Sequence, residues 1–116
     1  MPELLDEYEL VFFHNGATLH YVESVSEPWR KTGLSAREVR DWLDAGVYDD
    51  EPDVAQALAT AGFEPRQAAR IRGRYGPGEA MNLISWVRGA SDKAVRAMQL
   101  MDLVIAARSK AERETG

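Results

Sequence analysis

Three sets of residues in this 116-residue chain have the type or spacing that chemistry requires. His14 and His20 stand six apart, and Asp41, Asp44, Asp49 and Asp50 lie within ten positions. Imidazoles and carboxylates so placed are the raw material of a metal site or of a general acid and base. Gly73-x-x-Gly76-x-Gly78 has the glycine density of a phosphate cradle. Arg66, Arg70 and Arg74 follow one another at one helical turn, which aligns three guanidinium groups on one helix face. Such a row grips phosphates or carboxylates, and Tyr75 beside it adds a single stacking surface.

The first two sets fail on chemical grounds. The chain has no cysteine, so no thiol nucleophile, thiolate ligand or disulfide is expected. The four aspartates fall at expected helix starts and exposed positions, where the helix dipole and solubility explain them. In the glycine segment Pro77 removes a backbone donor, and the Lys-Ser/Thr that completes a phosphate loop is missing. No nucleophile stands at a useful spacing from a base. The expectation is a protein that is not an enzyme, with no metal and no cofactor.

The arginine row remains, and beside it a second candidate contact: Met98, Met101 and Ile105, on a long apolar segment near the C-terminus. Adjacent methionines suit an adaptable apolar surface and suit a plastic core equally. Arg66, Arg70, Arg74, Met98, Met101 and Ile105 are the candidate partner-binding residues. The partner would be another protein or a second copy of the chain, with nucleic acid as the other option and no membrane.

These side chains must be positioned by helices. One phrase recurs, a bulky residue, three more, a glycine, then an apolar residue: Trp29–Leu34, Trp42–Val47 and Leu58–Phe63. Each predicts a helix end, with glycine in the left-handed conformation and the apolar residue folded back. Ser35-Ala-Arg-Glu38 predicts a capping box opening a helix to about Ala45. Further helices are predicted from the acidic start Tyr48–Asp53 with Pro52 in the first turn, from Pro65 through the arginines, and from Glu79 to Arg88 with Trp86 at its edge. The longest, about Asp92 to Arg113, is apolar on nearly every side at its centre. Its preferred reading is the central strut of the core; the other is a helix buried in a partner. Asn15-Gly16 between apolar residues points to a β-hairpin over residues 9–22, the rival being a helix with Leu4, Leu5, Tyr8, Val11 and Phe12 inward.

The predicted fold class is mainly α: a compact bundle of four to five helices, with a short N-terminal β-hairpin as an option. One domain spans 1–116, with an N-terminal hairpin or helix segment (1–31), a short-helix region (32–89) and a long C-terminal helix (90–114). The acidic N-terminus lacks the layout of a signal peptide and no apolar run matches a bilayer span, so a cytoplasmic protein is expected. Arginine outnumbers lysine 11 to 3, a composition suggestive of a high-GC bacterial or phage genome. The net charge of −5 conceals two unlike parts: residues 1–64 carry 14 acids and 4 bases, residues 65–116 carry 5 acids and 10 bases. A chain so polarised can pair internally, self-associate or present a basic face.

The segment Thr32–Val47 resembles the turn and second helix of a MerR-type or excisionase-type helix-turn-helix, through Gly33, Leu34, Ser35, Arg37, Val39, Arg40, Trp42 and Gly46. That resemblance implies a DNA-binding regulator in which Ser35, Arg37 and Arg40 touch phosphates or base edges. The chain departs from the pattern at Trp29, where a small residue would let the helices approach, and at the wing, where four acids stand instead. The Trp-Leu-x-Ala-Gly phrase is also similar to short-helix repeats in proteins of high-GC bacteria and their phages, which implies a style of fold and no activity. The functional expectation is a small regulatory or adaptor protein that binds another macromolecule. A divergent MerR-like DNA-binding regulator is the alternative.

Overall fold

A computed structural model describes residues 5–13, 18–73 and 81–115. Among these the chain is almost wholly helical. The helices are α1 (Glu7–Phe12), α2 (Leu19–Arg30), α3 (Ala36–Ala45), α4 (Pro52–Ala61), α5 (Pro65–Arg70), α6 (Leu83–Arg88) and α7 (Lys93–Thr115). A two-residue antiparallel ladder, β1 (Arg72–Gly73) with β2 (Met81–Asn82), pairs Arg72 with Asn82 and Gly73 with Met81. The mainly α class holds, with seven helices among the described residues against the four to five expected.

The corners are built as the glycine phrase predicts. Gly46 and Gly62 have φ of 121° and 103°. The amides of Val47 and Phe63 reach back to the carbonyls of Trp42 and Leu58 at 3.1 and 3.0 Å. This closes each helix with the bond that places the next apolar side chain in the core, and Val47 and Phe63 are both buried. Ser35 and Glu38 form the expected reciprocal cap, Ser35 Oγ accepting from the Glu38 amide at 3.1 Å and Glu38 Oε1 from the Ser35 amide at 3.0 Å. One hydrophobic cluster takes side chains from all seven helices, with Trp29, Trp42, Val39, Val54, Leu58, Ile84 and Val87 out of solvent. Trp86, expected at an edge, is also buried at 8 % exposure.

Three expectations are corrected. No hairpin spans residues 9–22: both described flanks are helical, in α1 and α2, and Asn15-Gly16 lies outside the described residues. Local capping explains the outcome. Asp6 and Glu9 form a capping box at the start of α1, and Thr18 Oγ1 accepts the Tyr21 amide at the start of α2. The Tyr8 hydroxyl then donates to the Leu34 carbonyl at 2.7 Å and docks α1 on the turn before α3. The helix expected from Glu79 begins at Leu83, because Asn82 caps it by accepting the Ser85 amide at 2.9 Å. Residues 74–80 lie outside the description.

The third correction concerns the long helix. α7 is not the strut of the core. It lies on α4 and α6 along one side only, through Ala97 and Leu100 with Met101 and Val104 partly covered. Beyond Val104 every residue whose side chain is described is exposed. The radius of gyration of 16.7 Å exceeds the roughly 13 Å of a compact domain of this length, and the longest dimension is 63 Å. α7 leaves the body as a projecting arm.

Candidate functional site

Among the described residues α7 carries one of two groups of exposed large apolar side chains, the other being Leu10, Phe13, Leu19 and Tyr21 near the N-terminus. Met98, Leu103 and Ile105 are 60 %, 63 % and 53 % exposed, and Val95 is exposed near the root of the helix. At 100° per residue Ala94, Met98, Met101 and Ile105 share one side of the cylinder, spaced four, three and four apart. That is the spacing of a seam that receives another helix. The side is distinct from the one that packs on the body, although Met101 straddles both, its methyl lying against Gly62 at the end of α4. Leu103 and Val95 were not singled out from the sequence. The signal was an apolar run continuing around the helix beyond what one packing face needs.

The seam opens at its root onto a groove of about 380 Å³ between α4 and α7, lined among others by Asp53, Gln56, Thr60, Asp92 and Ala94. Asp53 and Lys93 are 3.7 Å apart across it. Since Lys93 faces Asp53 and Met101 faces Gly62, α4 and the first half of α7 run in the same direction. The Asp92 carboxylate accepts the Val95 amide at 3.1 Å and so caps α7.

The arginine row is shorter than expected. α5 stops at Arg70, where Ile71 turns to extended backbone, so Arg72 belongs to β1 and Arg74 lies outside the described residues. Arg66 and Arg70 remain on one exposed side of α5. They line an open groove of about 630 Å³ that also contains Asp41 and Asp44 of α3 and Glu64. The groove therefore mixes both signs of charge.

The residues of the helix-turn-helix resemblance are placed as follows. Ser35 spends its hydroxyl on the cap of α3. Arg37 and Arg40 are exposed on α3, with Asp41 and Asp44 on the same side of the helix. Trp29 is fully buried, tilted against Phe12 with ring centroids 6.2 Å apart, its Nε1–H donating to the Asp49 carbonyl at 2.8 Å. α1 packs on both α2 and α3, whereas α2 and α3 are not a principal packed pair.

Two polar clusters fix the body that carries the arm. Arg88 of α6 donates from Nε and Nη2 to Glu51 at 2.6–3.0 Å and from Nη2 to the Gly46 carbonyl at 2.9 Å, with its guanidinium 4.1 Å above the Tyr48 ring. Burial pushes the Glu51 carboxyl up, but Arg88 and the Tyr48 amide outweigh it and hold the group below its usual 4.5. Arg88 is pushed above its ordinary value, chiefly by its bonds to Glu51. From α2 the Tyr21 hydroxyl donates to Asp49, which raises the phenol to about 12. These clusters close loops rather than line a cavity.

Among the described residues no group of three or more metal-ligating side chains could hold an ion, and no helix is long and apolar enough to cross a membrane. No family model, no curated protein and no solved structure matches the chain.

Proposed function

We propose that the protein is a small non-enzymatic adaptor or regulator that acts by binding another protein chain along α7. One observation carries the reading: the seam of Met98, Met101 and Ile105 continues onto an arm whose exposed apolar residues do little for the fold. Exposed contiguous apolar surface costs solubility and is kept where something covers it. Arg66 and Arg70, whose groove already holds carboxylates, are secondary to this surface.

The test is a photo-cross-linking residue placed at Met98, with the same residue at Arg40 on α3 as control, in a lysate of the source cells. A discrete adduct from Met98 that Ile105→Glu abolishes, with none from Arg40, supports the reading. Indiscriminate or absent adducts at both positions would remove it.

The DNA-binding alternative draws support from the exposure of Arg37 and Arg40. Against it weigh the aspartates beside them, the engaged Ser35 hydroxyl and the weak packing of α2 on α3. We expect no binding to labelled duplex DNA in anisotropy even at low salt, where phosphate attraction is greatest. Binding that falls steeply with salt and vanishes in an Arg37→Ala/Arg40→Ala variant would make this reading primary.

A further inference from the structure

We infer that the seat beneath α1 is a binding site for a short amphipathic helix, and that the chain's own α1 fills it as a displaceable, autoinhibitory plug. The surface is separate from α7 and stands whether or not α7 binds a partner. α1 packs principally on α2 and α3. Phe12, 4 % exposed, lies tilted on the Trp29 ring, and the Tyr8 hydroxyl donates to the Leu34 carbonyl at 2.7 Å. Asp6, which caps α1, pairs with Arg30, whose guanidinium stands 5.4 Å from the centre of the Tyr8 ring.

The members of the seat are each fixed by bonds that do not involve α1. Trp29 donates from Nε1 to the Asp49 carbonyl at 2.8 Å, and Arg30 reaches Glu27 at 2.7 Å. Thr32 holds the turn that presents Leu34: its hydroxyl donates to the Trp29 carbonyl at 2.6 Å and accepts the Leu34 amide at 3.1 Å. The backbone bonds of α3 begin with the Val39 amide on the Ser35 carbonyl, so the Leu34 carbonyl lies outside that ladder and can take a side-chain donor. The seat is therefore preorganised. It offers an aromatic floor, a carbonyl acceptor and a guanidinium to a helix that presents the matching groups.

The plug is weakly held. α1 has six residues, and an isolated helix shorter than about 12 is marginal in water. The Arg30 and Asp6 side chains are 36 % and 48 % exposed, so their pair contributes little. Leu10 and Phe13 stay in water, and α1 gives the core only Phe12 with parts of Tyr8 and Val11. The packing of α3 on α5, and of α4 on α6 and α7, does not pass through α1. α1 can thus open as a unit while the body stays folded. A competing helix needs the same chemistry: an acid, a tyrosine two positions on, and an apolar aromatic four positions after that.

Two measurements test this. In the unaltered chain the amides of Leu10 and Phe13, bonded to the Asp6 and Glu9 carbonyls, should be at least about tenfold less protected from hydrogen exchange than those of α4. The second probe is a fluorescent peptide of residues 5–13. It should bind full-length Phe12→Ala, whose plug is loosened, about tenfold or more tightly than the unaltered chain, because a filled seat lowers apparent affinity by its vacant fraction. The same peptide carrying Tyr8→Phe and Phe12→Ala should bind neither. Equal protection of α1 and α4 overturns the inference, whatever the variant does. So does a Phe12→Ala chain that keeps its helical spectrum yet takes up the peptide no better than the unaltered chain, or binds both peptides alike.

Discussion

Arg88 joins α6 to the loop between α3 and α4, two stretches distant in sequence. It holds Glu51 by two nitrogens, takes the carbonyl of Gly46 at the end of α3, and stacks on Tyr48. The Arg88 and Glu51 side chains are 29 % and 13 % exposed, so the pair is shielded enough that removing one partner strands the other. Arg88→Ala should cost about 2–3 kcal/mol, read as a fall of about 10 °C in the melting midpoint. The pH dependence has a definite sign. Because the folded Glu51 carboxyl sits below its usual 4.5, its contribution is present above that value and is lost as pH falls through the lower folded value. The gap in melting temperature between the unaltered chain and Arg88→Ala should therefore narrow between pH 7 and pH 3. A gap constant over that range would remove the ion pair as its source. None of this was legible in the sequence. Glu51 and Arg88 are 37 positions apart, each looks like an ordinary surface charge, and only the meeting of α6 with the α3–α4 loop pairs them.

The helix ends, by contrast, could be read from residues three to five apart, because a cap is a local transaction between neighbours. Ser35 with Glu38, and Gly46 with Trp42 and Val47, needed no knowledge of the fold. Gly46 offers a clean test of that locality. Its φ of 121° is one that a residue with a side chain resists, while a Cβ there would meet nothing within 4 Å. Gly46→Ala should therefore destabilise by about 1–2 kcal/mol through backbone strain alone, with no crowding to add to it, as a chemical denaturation series would show. The N-terminus misled the hairpin reading for a related reason. Asn15-Gly16 is a strong turn signal, but a turn says only that the chain reverses, and Thr18 and Asp6 decide that helices flank it. The arginine row failed at the same scale: a one-turn spacing continues through Arg74, but the backbone turns extended at Ile71 and ends the helix.

At the scale of the whole molecule the projecting arm sets the longest dimension, 63 Å. In the sequence the centre of α7 is apolar on nearly every side, a pattern shared by a core strut and by a helix awaiting a partner, and residue counting cannot separate these. What separates them is how much of the body reaches the helix. α4 and α6 cover it only as far as Val104. Deleting residues 106–116 should thus leave the melting temperature of the monomeric fold within a few degrees, because none of the described side chains it removes is buried.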